Sequence, residues 1–205
     1  MIIVMKLGVD ESQVQETIQK IKDLGFNTHL SKGENRTIIG VIGDVSSIDE
    51  SESLYLPPAL AVKDIAFRKG EIIAKKHPND IVISADTIVV LDNQIIGKPK
   101  DEEDAFRILK TLSNKMHTVI TAFCIFYQGR AMERSVHSQV IMNQLSDELI
   151  NKYIESKIPL DKAGAYGVQD NRKFPIVKTV IGSLDNVIGF PVEEIKNDLL
   201  RSHLL

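Results

Sequence analysis

The chain has 205 residues, 43% of them hydrophobic and 26% charged, with few aromatics and no Trp. That length suits one large or two small domains with a real core, and the mixture excludes a disordered tail. A formal charge of −3 argues against a general nucleic-acid surface. A single cysteine, Cys124, excludes an internal disulfide, and its apolar neighbours mark it as a core thiol; a reducing cytoplasm is the expected home.

The opening Met1 to Leu7 is apolar but too short to cross a bilayer, and residues 2–7 read as a buried strand. Asp10 offers an N-cap with Gln13 three residues on, and Val14, Ile18, Ile21 and Leu24 follow at helical spacing up to Gly25. Strands are expected at Phe26 to Leu30 and Thr37 to Ile42, separated by the polar turn Ser31 to Arg36. After a polar stretch, Pro57-Pro58 opens a basic helix whose apolar face includes Ala61, Ile65, Ala66 and Ile73.

Residues 81–91 form an almost unbroken apolar run, as in a strand covered on both faces, interrupted by Ser84, Asp86 and Thr87. A turn at Asp92-Asn93 and a strand Gln94 to Ile96 complete a hairpin ending in Gly97-Lys98-Pro99. Asp101 caps a helix with an acidic first turn; strands follow at Thr118 to Tyr127 and Ser135 to Met142. Ser146 opens another helix, Asp161 to Asp170 forms a Gly/Ala-rich loop, and a strand at 176–181 precedes a last helix from Pro191. This mixed order predicts α/β or α+β architecture.

A carboxylate inside an apolar strand must be paired, metal-bound or neutral, because burying an isolated charge is costly. Asp86 is therefore either a structural aspartate held by backbone amides or a working group. Lys98, held between Gly97 and Pro99 beyond a strand end, is placed to meet a phosphate, or is a plain turn lysine. In the loop, Lys162 and Gln169 flank small residues that allow close approach, and Gln169 has the donor–acceptor pair needed to read a base edge.

Five blocks occur in order: Ala85-Asp86-Thr87-Ile88-Val89, Ile96-Gly97-Lys98-Pro99, His117 to Thr121, Asp161 to Gln169, and Ile181-Gly182 through Asn186-Val187-Ile188-Gly189-Phe190-Pro191. Together they resemble the Maf family of nucleoside triphosphate pyrophosphatases over roughly residues 44 to 200. The resemblance implies a Maf/ITPase-like mixed sheet flanked by helices, and hydrolysis of a nucleoside triphosphate to monophosphate and pyrophosphate with Mg²⁺ or Mn²⁺. It makes Asp86 the catalytic base and metal contact, assigns Lys69, Lys98 and Lys162 to the phosphates, and matches Thr87 and Gln169 to the branch preferring dTTP and UTP. An acidic cluster in that family corresponds to Asp49, Glu50 and Glu52. No nucleic-acid polymer or membrane is implied; the oligomeric state is left open, a homodimer among the options.

The family's opening strand and Ser-x-Ser-Pro-Arg-Arg phosphate loop do not occur here. Residues 1–43 instead resemble the small ferredoxin-like βαββ domain at the front of one class of DAHP synthases, which implies a fusion with residues 44–205 as the Maf-like domain. Two alternatives follow from that front: a catalytically silent nucleotide-binding or assembly module, and a self-associating or aromatic-amino-acid-sensing unit.

Overall fold

The structure, a computed structural model, describes residues 2–5, 9–23, 27–32, 37–42 and 56–204. Two compact units divide the chain: Met1–Tyr55, Lys63–Ala85 and Phe123–Arg134 form the first, and Leu56–Val62, Asp86–Ala122 and Ser135–Leu205 the second. The turn at 33–36 and the acidic residues Asp49, Glu50 and Glu52 lie outside the described residues.

The first unit runs β1 (Ile2–Val4), α1 (Glu11–Asp23), β2 (Asn27–Lys32), β3 (Thr37–Ile42), α2 (Pro58–Ala74) and β4 (Ile81–Leu91), with the first residues of α2 and the end of β4 in the second unit. Its strands are ordered β2-β3-β1-β4, and β1 pairs antiparallel with both β3 and β4. This is the βαββαβ ferredoxin-like connection. The first unit therefore does not end at residue 43 but includes most of α2, the start of β4 and Phe123–Arg134.

Helix α1 begins with the expected box: the Asp10 carboxylate accepts from Gln13 N at 2.9 Å, and Gln13 Oε1 accepts from Asp10 N at 3.3 Å. Its buried side chains are Val14, Thr17, Ile18 and Ile21. Helix α2 lies tightest at Gly70, where an added Cβ would stand 2.3 Å from the Phe126 ring and 2.4 Å from Ser84 Oγ. The Ser84 hydroxyl, fully buried, is satisfied by donating to the Ala66 carbonyl at 2.7 Å.

The second unit contains the end of β4, β5 (Gln94–Ile96), α3 (Glu102–Leu112), α4 (Asp147–Glu155), β8 (Val177–Ile181), α5 (Leu184–Ile188) and α6 (Val192–Arg201). Strands β6 (Met116–Tyr127) and β7 (Arg130–Met142) carry residues of both units. Along the sheet β6 follows β4, then β7 and β8; β5 pairs antiparallel with β4, and β8 with β7. The core of this unit joins Val89 and Leu91 of β4 to Leu109 and Leu112 of α3, Ile150 and Tyr153 of α4, and Phe174 and Ile176. Asp101 caps α3 by accepting from Asp104 N at 2.8 Å, and Ser146 caps α4 by accepting from Leu149 N.

Three details differ from expectation. Strand β7 starts at Arg130 rather than Ser135, because Gln128 and Gly129, at φ 49° and 73°, form a tight left-handed turn directly after β6. The loop from 161 is organised as 3-10 turns at Ile158–Asp161, Ala163–Ala165 and Val168–Arg172. Helix α5, only five residues long, is too short for periodicity to announce.

Candidate active site

Strand β4 is buried from Ile81 to Ser84 and half-buried at Ala85, Asp86 and Thr87 before closing again at Ile88. The interruption in the apolar run is therefore also where the strand gains access to solvent. In the second unit Asp86 and Thr87 precede the stretch Val89–Leu91 that β5 covers. The Thr87 side chain turns towards Thr121 and Gly189.

Three of the sequence blocks meet on this part of β4. The Gly164 N–H donates to the Gly97 carbonyl at 3.0 Å, tying the 161–170 loop to the Gly97-Lys98-Pro99 turn. Gly164, at φ 72°, also lies against Val89: a Cβ there would come within 3.0 Å of its methyl group. Lys98 is thus an exposed side chain between an anchored carbonyl and a buried proline.

The far end of the loop is pinned by one phenol. Tyr153 of α4 donates to Asp170 Oδ2 at 2.8 Å and accepts from Gly167 N at 3.0 Å, while Asp170 N donates to the Gly167 carbonyl at 3.1 Å. Gln169 sits exposed on that pinned turn. Gly167 is the point of convergence: a Cβ there would lie 2.7 Å from Asp170 Oδ2, 3.0 Å from Lys162 Cε and 3.2 Å from Gln169 Oε1. The Lys162 ammonium donates to the Ile158 carbonyl at 2.9 Å and to Asp161 at 2.7 Å, so two of its three donors already serve the loop.

Thr87 is held from the other side. Its hydroxyl lies 2.8 Å from that of Thr121, which donates to the Asn186 carbonyl at 2.7 Å. Asn186 is fully buried; its Oδ1 accepts from Thr121 N, its Nδ2 donates to the Val119 carbonyl and Ser138 Oγ, and its own N–H donates to the Ser183 cap of α5. Gly189, at φ 109°, closes this side, since a Cβ there would stand 3.1 Å from Thr87 Oγ1. His117 and Tyr166 form a second buried pair at 2.7 Å. Burial pushes His117 down to about 4 and the Tyr166 phenol up, so both are neutral near pH 7.

The structure thus brings together β4 with Thr87, the Lys98 turn and the loop carrying Lys162 and Gln169. Lys69 belongs to the first unit, half-buried on α2 directly before the tight contact at Gly70. Local pattern gives Thr121, Asn186 and Tyr153 no functional role of their own. Two of them lie in the sequence blocks, but no spacing announces that hydroxyl 121 meets carbonyl 186. Burial raises the Cys124 thiol to about 12, as befits a core thiol.

The model of the Maf-like protein family matches residues 31–202. The chain belongs to that family. It is similar to a dTTP/UTP pyrophosphatase of Fusobacterium nucleatum, 37% identical over 93% of this chain and 92% of that protein, a similarity that extends ahead of residue 31. It is 36% identical to a dTTP/UTP pyrophosphatase of Pyrococcus abyssi over 80% of this chain and 88% of the other. A dTTP/UTP pyrophosphatase of Clostridium botulinum is 43% identical over 67% of this chain and 74% of its own length.

Proposed function

We propose that the chain hydrolyses nucleoside triphosphates of the dTTP/UTP type to the monophosphate and pyrophosphate. The observation that carries this is the half-buried Asp86-Thr87 step, with the Lys98 turn and the Gln169 loop gathered on the same strand, in a chain similar to proteins named for that reaction. Asp86 takes a proton from a water whose oxygen bonds to the α-phosphorus. The bond from that phosphorus to its bridging oxygen breaks, and pyrophosphate leaves with the electron pair. Lys69, Lys98 and Lys162 offset the charge of the phosphates, and Thr87 and Gln169 meet the base.

The donors suit Mg²⁺ or Mn²⁺. Asp86 supplies a hard carboxylate oxygen, and no group of three or more His, Cys, Asp or Glu able to hold a metal occurs among the described residues. Asp86 would hold such an ion together with oxygens of the substrate. When bound, the ion lowers the cost of charge on the phosphate oxygens.

Pyrophosphate release from a panel of nucleotides tests the reading. UTP and dTTP should be turned over with Mg²⁺, and Asp86→Asn should lose about 10²-fold or more of the rate, the scale of one acid–base group, while still binding nucleotide. Binding without turnover in the unaltered protein would favour a silent nucleotide-binding module. That second reading draws on one sequence fact, the absence of a Ser-x-Ser-Pro-Arg-Arg run from the 205 residues.

A further inference from the structure

We infer that Thr121 is a positioning residue that turns Thr87 into a hydrogen-bond acceptor and so selects bases carrying an imide N–H. This rests on the nucleotide reading above and deepens it. The argument is one of proton bookkeeping. The Asn186 carbonyl can only accept, so in the 2.7 Å contact the single Thr121 hydroxyl proton points at Asn186. Thr121 Oγ1 then has only lone pairs for its 2.8 Å contact with Thr87, and the Thr87 hydroxyl must be the donor. With its proton engaged inward, Thr87 presents lone pairs alone.

The chain is held in this sense by atoms whose polarity is unambiguous. Asn186 cannot turn its amide over, because Oδ1 faces the Thr121 backbone N–H at 3.1 Å and Nδ2 faces the Val119 carbonyl at 3.1 Å. Ser138 Oγ accepts from the same Nδ2 at 2.9 Å and passes its own proton to the Ser183 carbonyl at 2.9 Å. Thr121 and Asn186 are both fully buried, so water does not compete for the relay. Thr87 is half-buried, and Gly189 beside it carries no side chain over the hydroxyl.

An acceptor-only hydroxyl discriminates between pyrimidines. Thymine and uracil, the bases shared by dTTP and UTP, carry N–H at position 3, whereas cytosine has a lone pair there. Thr87 therefore attracts the first two and faces a lone pair with a lone pair in the third. Sites built to hydrogen-bond one partner reject the analogue that leaves them unpaired.

The test uses the full chain carrying Asp86→Asn, with affinities for UTP and CTP measured by titration calorimetry in Mg²⁺, and kcat and KM for both nucleotides with Asp86 intact. Thr121→Val removes the acceptor and frees the Thr87 proton to donate. The preference for UTP over CTP should then fall by about tenfold, one hydrogen bond's share of affinity, carried by KM more than kcat. Thr121→Ser should restore it. Should the valine variant not fold, Thr121→Ala takes its place. A purely structural Thr121 would weaken both nucleotides alike and leave the ratio unchanged, which overturns the proposal while the nucleotide reading stands. Binding of neither nucleotide to the unaltered site overturns both.

Discussion

His117 shows how much one buried side chain can carry. It is 3% exposed, its Nε2 meets the Tyr166 hydroxyl, and its Nδ1 has no partner. Burial holds it at about 4, against an ordinary 6.5. Between those values the unfolded chain binds the proton and the folded one does not. Stability therefore rises with pH through that window, is fully present above about 6.5, and is lost as pH falls towards 4. Urea unfolding at pH 7 and pH 4.5 should differ by a term of up to about 3 kcal/mol that His117→Gln abolishes. An unchanged slope in that variant would count against the assignment. Asn186 is a second such residue. Its side chain satisfies one backbone N–H, one carbonyl and one hydroxyl, so Asn186→Ala should cost about 2–4 kcal/mol by leaving buried partners unmade. Thermal unfolding reads that loss.

At the scale of elements, helix α2 and the 161–170 loop make opposite kinds of contact. Helix α2 is pressed against Ser84 and Phe126 where only glycine fits. Gly70→Ala should destabilise by about 1–3 kcal/mol through overpacking, visible as a lowered urea midpoint with an unchanged slope. The loop is held by hydrogen bonds, chiefly the Tyr153 phenol between Gly167 and Asp170. Tyr153→Phe should cost about 1–3 kcal/mol and loosen the turn carrying Gln169. If Gln169 reads the base, KM for UTP should rise while kcat changes little; an equal fall in kcat would point to a different role. The elements themselves were largely legible. Caps at Asp10, Asp101 and Ser146 and the apolar faces behind them are local signals that the structure repeats. The start of β7 was not, because Ala131, Glu133 and Arg134 are exposed and present no buried alternation there.

For the molecule as a whole, the proposed use of Mg²⁺ with the nucleotide sets the expected metal behaviour. An ion bound chiefly through substrate phosphates should add little to stability alone and much with nucleotide, since a ligand stabilises only in proportion to its occupancy of the folded state. Mg²⁺ alone should shift Tm by no more than about 1 °C, and Mg²⁺ with UTP by several degrees. Chelation should abolish turnover in the pyrophosphate assay. A large shift with Mg²⁺ alone would instead reveal a resident metal cage.

Sequence alone determined the alternation of strands and helices, the caps, the core thiol and the five blocks that mark the family. These depend on periodicity, on turn chemistry and on residues adjacent along the chain. Asp86 stood out for the same reason, as a charge inside an apolar run. The tertiary structure decided what those local signals leave open. It joined the front βαββ to α2 and β4 in one ferredoxin-like unit, and it laid the Gly164 loop on Val89 and the Lys98 turn. It also placed Asn186 behind Thr121, and so set the polarity of Thr87. Hydrogen-bond partners 65 residues apart leave no trace in local pattern. They exist only because the fold closes the intervening chain and excludes water from the contact.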